Sequence, residues 1–268
     1  MDIQQLKHCK ILVIGESCLD VFIRGEVDRL CPEVPAPVFT FMHKTLNPGM
    51  AANVSANLSS FEVVHDLVTN KNYEEVTKTR YVDARTNTLF IRVDENDNRI
   101  ERCRVRKIDF SPYSAVIISD YCKGFLDKED IEFITKKHPL VFLDTKKRLG
   151  EWCKDAFLIK INNTEFENSR EFIESDDTMN SKIICTLGPT GCSYGGKIFP
   201  VPEVSIKDVS GAGDTFLASL VASFDKTKDL EKSILFANRC STEVVQKRGV
   251  TTPQLSLEED DSDVCGRY

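Results

Sequence analysis

The sequence has no G-x-x-x-x-G-K-[ST] loop, no C-x-x-C pair, no surplus of positive charge and no long apolar run. Each absence removes a class of protein. Without the lysine-bearing glycine loop, P-loop nucleotide chemistry is excluded. The ten cysteines are scattered, and the nearest two, Cys185 and Cys192, have six residues between them. The four histidines, His8, His43, His65 and His138, are equally dispersed. Metal-site spacing is therefore missing, and reduced thiols in a cytoplasmic protein are expected. A net charge of −7 argues against nucleic acid or an anionic membrane as the main partner. The apolar stretch ILVIG at Ile11–Gly15 is too short for a membrane span or a signal-peptide core.

What is present is a set of five short runs rich in Val and Ile. They are Lys10–Gly15, Ala115–Asp120, Leu140–Asp144, Ala156–Asn162 and Lys182–Gly188. Continuous rather than alternating apolarity suits strands of a parallel sheet covered on both faces. Helical patterns at Asp127–His138, Thr215–Phe224 and Leu230–Val245 complete the alternation of a layered α/β sandwich. Polar residues gather at the C-terminal ends of the runs: Glu16 and Asp20, Ser119–Asp120, Asp144, Asn162 with Glu165, and Thr186–Gly188. Turn formers end strands in any protein, but five such ends together point to the crevice where open α/β sheets bind ligands.

Two segments read differently. Val21–Met42 contains PEVPAPVF, whose prolines allow only edge strand or loop. Thr79–Val105 alternates polar and apolar residues, as half-exposed antiparallel strands do, with Asp97-Asn98 expected at a turn. Together, approximately residues 20–43 and 79–106, they are expected to form a small β-sheet lid over the crevice. No repeat or low-complexity linker divides the chain, so residues 1–268 read as a single domain. The acidic stretch LEEDDSD within residues 254–268 reads as a solvated or disordered tail.

The stretch DVSGAGDTFLASL, Asp208–Leu220, joins a glycine turn to an apolar helix. Free amides at such a junction attract phosphate, yet Asp214 sits inside it. A dinucleotide-binding turn would need a third glycine and a place after the first strand. A packing turn with Asp214 as a first-turn helix charge remains one reading. The other is a phosphoryl-transfer loop, in which amides of 211–214 face the migrating group and Asp214 receives a hydroxyl proton.

DVSGAGDTFLASL resembles the C-terminal signature of the ribokinase-like (PfkB) sugar kinases. CLDVFIRGEVDRLCPEVPAPV, NPGMAANVSANL, TKTRYV, LFIRVDEN, SDYCKG, NNTE and TLGPTG extend the likeness along nearly the whole chain. It is closest to the kinase half of the bifunctional heptose-phosphate kinase/adenylyltransferases. The resemblance implies a three-layer α/β/α sandwich with a mostly parallel sheet and a β lid. It implies Asp214 as catalytic base and the Gly211, Ala212 and Gly213 amides as anion hole. Asp20, Gly49 and Asn53 would hold sugar hydroxyls, with Lys78, Arg80, Arg92, Asp120 and Lys123 on the sugar-phosphate side. Lys146, Thr186, Gly188, Gly191 and Asn238 would bind ATP. Asn162 and Glu165 would organise magnesium through water, and Asp208 and Ser210 would bind a monovalent cation such as K+.

The implied activity is transfer of the γ-phosphoryl of ATP to a sugar or sugar phosphate, with heptose 7-phosphate at its anomeric hydroxyl as leading substrate. A pentose, hexose or nucleoside kinase is the alternative within the family, and a catalytically weak binder of the same fold is the alternative outside it. Homodimerisation through the lid is implied as well. Two departures stand out. Met50 occupies the place of the family's second glycine, where its side chain is expected to fill space beside the sugar and to require φ < 0. The chain is also shortened between Ser60 and Thr77 and between Glu165 and Thr186.

Overall fold

A computed structural model of the chain describes residues 10–257. His8 and the acidic stretch beyond Leu257, read above as part of a tail, lie outside the described residues.

The apolar runs become the centre of an eight-stranded sheet. β1 (Ile11–Gly15), β4 (His65–Val68), β7 (Ala115–Asp120), β8 (Val141–Thr145), β9 (Leu158–Asn162) and β10 (Ile183–Thr186) are parallel. Two short antiparallel strands, β11 (Cys192–Tyr194) and β12 (Lys197–Phe199), extend one end. The order across the sheet is β12-β11-β10-β9-β8-β7-β1-β4. The five expected strands lie within one or two residues of their sequence boundaries.

Period-two alternation divides the sheet's side chains between two apolar cores. Ile11, Val13, Ile117, Phe142, Leu158 and Ile184 face α1 (Ala51–Ser60), α5 (Ala212–Thr227) and α6 (Leu230–Val244). Leu12, Ile14, Val116, Leu143, Ile159 and Ile161 face α2 (Lys128–Lys137), α3 (Asn163–Glu174) and the short α4 (Asp177–Asn180). Each fully buried Leu, Ile or Phe contributes about 1.5–3 kcal/mol by leaving water. That gain explains why the runs are apolar on both parities. α5 is buried along Asp214–Phe224, as its composition implied, and its ends extend past the expected Thr215–Phe224.

The lid is a four-stranded sheet in the order β3-β2-β5-β6, built from β2 (Ser17–Leu30), β3 (Pro37–Met50), β5 (Thr77–Asp83) and β6 (Leu89–Glu95). Its central pair, β2 and β5, runs parallel, which alternation alone does not reveal. The proline segment supplies the Cys31–Ala36 loop and the edge strand β3, as expected. The turn expected at Asp97-Asn98 falls elsewhere. β5 and β6 are joined through Ala84–Thr88, because Asp83 accepts from the Arg85 and Thr86 amides at 2.9 and 2.7 Å and winds the chain back. Asp97–Arg99 forms a 3-10 turn beyond β6, and residues 100–106 leave the lid.

In the shortened region the chain passes from α1 through the edge strand β4 straight into the lid. The connecting loop is pinned where Asn70 Oδ1 accepts the Ser17 amide at 2.8 Å. Half-buried β4 therefore forms one rim of the main sheet.

Candidate active site

The turn at the head of α5 is set by its own residues. Gly211 is the N-cap in the left-handed region at φ 80°, a conformation that costs other residues about 1–2 kcal/mol. Asp208 fastens the turn from below. One of its oxygens accepts the Ser210 amide at 2.9 Å and the other the Gly249 amide at 3.0 Å. The Ala212 amide donates to Val209 O at 3.2 Å, so the Gly211 and Gly213 amides are the ones open to a ligand. Of the three amides the resemblance implies as an anion hole, that of Ala212 is thus already engaged within the turn.

Asp214 lies in the first turn of α5, only 5% exposed. Its Oδ2 accepts from Asn53 Nδ2 at 3.0 Å, and its Oδ1 accepts from the Tyr121 hydroxyl. Burial pushes the Asp214 carboxyl up to about 6, although the Tyr121 and Asn53 hydrogen bonds pull it back. Asp144 adds to the rise, and Lys160 opposes it. A carboxylate in that range is a competent proton acceptor at neutral pH.

Two cavities share this turn as a wall. On one side is an apolar cleft of about 340 Å³ lined by Val201, Pro202, Val204, Ile206, Phe216 and Val245, with Thr186, Gly188, Gly191, Asn238, Ala212 and Gly213 at its base. On the other is a polar cavity of about 350 Å³ with Gly211, Ser210 and Asp214 beside Asp20, Tyr121 and five cations. The cations are Lys78, Arg80, Arg92, Lys123 and Lys146. Strand register gathers those of the lid: Arg80 pairs with Arg92 across β5 and β6, and Lys78 lies opposite Asp20 on β2. Arg80 bonds Asp20. Arg92 holds Asp94 with two bonds of 2.7 and 2.8 Å. Lys78 and Lys123 both reach Asp97, at 3.2 and 2.6 Å. Burial raises the Asp94 and Asp97 carboxyls, but the facing cations outweigh it and leave both below their ordinary range. Both are therefore ionised at neutral pH.

The structure brings most of the sequence-selected residues to these two cavities, with four adjustments. Asp120 does not reach the polar cavity. It is 1% exposed at the end of β7 and turned toward β8, where it is engaged by the Thr145 hydroxyl and the Lys147 ammonium. Lys146 lines the polar cavity rather than the apolar cleft and bonds Glu165. Asn53 stands behind Asp214 rather than in the cavity wall, and Gly49 lies against Asp20, where a side chain would come within 2.5 Å of Asp20 Oδ2. Asn162 and Glu165 form the capping box of α3: each side chain accepts the other's amide, at 2.9 and 2.8 Å. That arrangement was legible in N-x-x-E at a strand-to-helix junction.

Met50 departs from expectation in its backbone. It keeps φ 58° and ψ −132°, a region nearly exclusive to glycine, and its side chain is buried against Cys18, Val76, Ile100 and Tyr121. The turn into α1 dictates this conformation, and burial of the thioether offsets strain of about 1–3 kcal/mol.

Sequence reasoning missed Glu16 as an organiser. It is buried and accepts the Tyr121 and Lys123 amides at 2.9 and 2.8 Å, which fixes the loop carrying both side chains to the cavity. Burial raises the Glu16 carboxyl, and Asp120 adds to that rise. Tyr121 and Lys160 were missed as well. SDYCKG signalled the first, but nothing in LIKIN distinguishes a lysine under a helix terminus from one at the surface.

Fold and site define a phosphotransferase of the carbohydrate-kinase class. A profile described as pfkB family carbohydrate kinase matches residues 50–257, and the chain belongs to that family. Among curated relatives, the bifunctional protein HldE of Helicobacter pylori strain J99 is 31% identical over an alignment of 303 positions, gaps included, that covers 93% of this chain. The chain spans 65% of the length of that relative. Among solved structures, a nucleoside kinase of Methanocaldococcus jannaschii superimposes with a TM-score of 0.70 at 19% identity, covering 94% of this chain and 96% of its own. A ribokinase of Thermotoga maritima gives 0.70 at 17%, covering 92% and 97%. At those identities the structures show the fold alone, and it is the ribokinase-like sandwich expected from the sequence. Among the described residues, no helix is long and apolar enough to cross a membrane.

Proposed function

We propose that the chain transfers the γ-phosphoryl group of ATP to a hydroxyl of a sugar phosphate, with heptose 7-phosphate at its anomeric hydroxyl as the leading substrate. The observation that carries this reading is the shared wall. The apolar cleft and the cationic cavity meet at Gly211–Gly213, with Asp214 on the cationic side. A nucleobase suits the Val, Ile, Pro and Phe walls of the cleft, and its phosphate chain would run toward the open amides. The acceptor hydroxyl would lie against Asp214, which takes its proton as the new oxygen–phosphorus bond forms. Five cations around one cavity fit an acceptor that is itself anionic.

Magnesium fits the donor set in one manner. Asn162 and Glu165 offer hard oxygen atoms, but the capping box and Lys146 already engage them, so they would hold the ion through water. The ion would supply charge neutralisation on the transferred phosphate. Asp208 and Ser210 carry a monovalent-cation role by resemblance alone.

The test is ADP release across a panel of phosphorylated and neutral heptoses, hexoses, pentoses and nucleosides. Heptose 7-phosphate should give the highest kcat/KM. Replacing Arg92 and Lys123 together by Ala should raise KM for a phosphorylated acceptor by about 10- to 100-fold and leave a neutral sugar nearly unaffected. A wild-type preference for neutral pentose or nucleoside would move the reading to the other kinases of the family. ATP binding without ADP release on any acceptor would favour a non-catalytic binder.

The lid also presents Phe41, Met42, Leu46, Leu89 and Ile91 to solvent, each more than half exposed, on the edge strands β3 and β6. Such edges are ordinarily covered, and we propose a homodimer formed through the lid. Light scattering at micromolar concentration should give twice the chain mass, and a Phe41→Lys/Ile91→Lys variant should give the single mass. A wild type of single mass refutes the dimer.

A further inference from the structure

Lys160 is the one charged residue in β9, with Leu158, Ile159 and Ile161 around it. It is 4% exposed. Its Cα partner on the neighbouring strand is Asp144, and its ammonium donates to Asp144 Oδ2 at 2.7 Å. The alternation of β9 puts Lys160 on the same face as Leu158, the face that α5 covers. It therefore points at the beginning of α5. A side-chain carbon placed on Gly213 would come within 3.0 Å of the Lys160 ammonium.

A buried ion pair is a poor choice if stability alone is at stake. Well-packed apolar residues in its place are often neutral or stabilising, and every neighbour in β9 up to Ile161 is apolar. Asp144 is also left incompletely satisfied: its Oδ1 is buried without a hydrogen-bond partner, with the Lys146 ammonium 3.9 Å away. The pair thus holds a lysine at one place, beside Gly213 in the first turn of α5.

We propose that Lys160 is a positioning residue for phosphoryl transfer, its ammonium held by Asp144 against Gly213 so that positive charge stands beside the Gly213 amide. Charge developing on the transferred group is stabilised by groups fixed before the reaction begins. An ammonium locked between strand and helix meets that condition better than a lysine reaching in from solvent. The lysine donates no proton and forms no bond in this role. The inference rests on the kinase reading above and adds a residue to it.

The test is a set of three full-length variants, Lys160→Met, Asp144→Asn and the double variant, read by kcat for ADP release, ATP affinity by calorimetry, and Tm. Lys160→Met should lower kcat by about 10- to 100-fold and lower Tm, because it leaves Asp144 buried without its partner. The double variant should recover Tm but not kcat. Asp144→Asn, which keeps the ammonium and an oxygen to receive it but loses the ion pair, should lower kcat less than the double variant does. ATP affinity should change little throughout. The inference is overturned by a double variant with wild-type kcat, by an Asp144→Asn loss equal to that of the double variant, or by ATP affinity falling in step with kcat. A wild type that binds ATP yet releases no ADP with any acceptor overturns the kinase reading beneath it. A wild type that turns over while all three variants match it overturns this inference alone.

Discussion

Asp214→Asn should abolish most turnover and at the same time make the protein more stable above about pH 6. The catalytic half follows from position. Among the described residues, Asp214 is the one carboxylate that borders both the open amides and the cationic cavity, and loss of a placed base lowers rates by roughly 10²–10⁴-fold. ATP affinity should be almost unchanged, since the apolar cleft and the Gly211 and Gly213 amides remain. The stability half follows from burial. Asp214 is raised from 3.8 to about 6, so the folded chain binds this proton more tightly than the unfolded chain. The group's contribution to stability is therefore complete below about pH 4 and is lost as pH rises through 6. At higher pH the ionised carboxylate costs on the order of 3 kcal/mol.

Asparagine avoids that cost with little loss of bonding. Its oxygen can accept from Asn53, and its NH₂ can donate to the Tyr121 hydroxyl, whose hydrogen is free to rotate. Tm should rise by several degrees near pH 8, and the gain should vanish near pH 4. Wild-type kcat in the variant would remove Asp214 as the base; a Tm gain independent of pH would remove burial as the cause of its raised pKa. The wild-type rate should itself fall as pH drops through about 6. Tyr121→Phe, which takes away a bond that favours the ionised form, should move that acid limb to higher pH.

How far the sequence carried depended on where the information resides. Continuous apolar runs specify buried parallel strands, because both faces of each strand must be covered, and β1, β7, β8, β9 and β10 were all legible for that reason. β11 and β12 have only three residues each, too few for any period to register, and β4 (HDLV) opens on two polar residues and shows no continuous apolar run. The lid was legible as alternation, but its register was not. No local signal tells that β5 joins β2 in parallel, or that Asp83 rather than Asp97 turns the chain. The same limit divides the site. DVSGAGDTFLASL is one contiguous stretch whose glycines, base and helix read together. The cations come from three places in the chain, and only pairing decides which of them face inward. Asp120 and Lys147 look equally available in sequence, yet β7 and β8 lie side by side and the two neutralise each other. Met50 shows the converse. Its identity argued for an ordinary backbone, and the turn into α1 overrode it.

Gly211→Ala should be the more damaging of the two single-methyl changes in the turn at the head of α5, and comparison with Gly213→Ala separates the reasons. At Gly211 two penalties coincide. Its φ of 80° disfavours any side chain, and the added carbon would lie 2.6 Å from Asn53 Nδ2 and 3.2 Å from Val250 Cγ1. Asn53 cannot retreat freely, because it is 1% exposed and donates to Asp214 Oδ2, while its own carbonyl receives Asn57 Nδ2 at 2.7 Å. Moving it releases one side of the base, and straightening the turn moves an open amide. Loss of one such donor lowers kcat by roughly 10²–10³-fold, and strain at the turn should destabilise the fold by about 1–3 kcal/mol. Gly213 lies within α5 at a helical φ, and its added carbon meets only the end of the flexible Lys160 side chain, at 3.0 Å. Alanine there gains helix propensity of up to about 1 kcal/mol, which offsets part of the cost of displacing the ammonium, so Tm should fall less than in Gly211→Ala while kcat falls. Steady-state kinetics and Tm on the two variants decide the matter. Equal loss of Tm in both would show that the turn is simply crowded. A Gly211→Ala protein with wild-type kcat would show that neither the Gly211 conformation nor the Asn53 contact takes part in positioning Asp214.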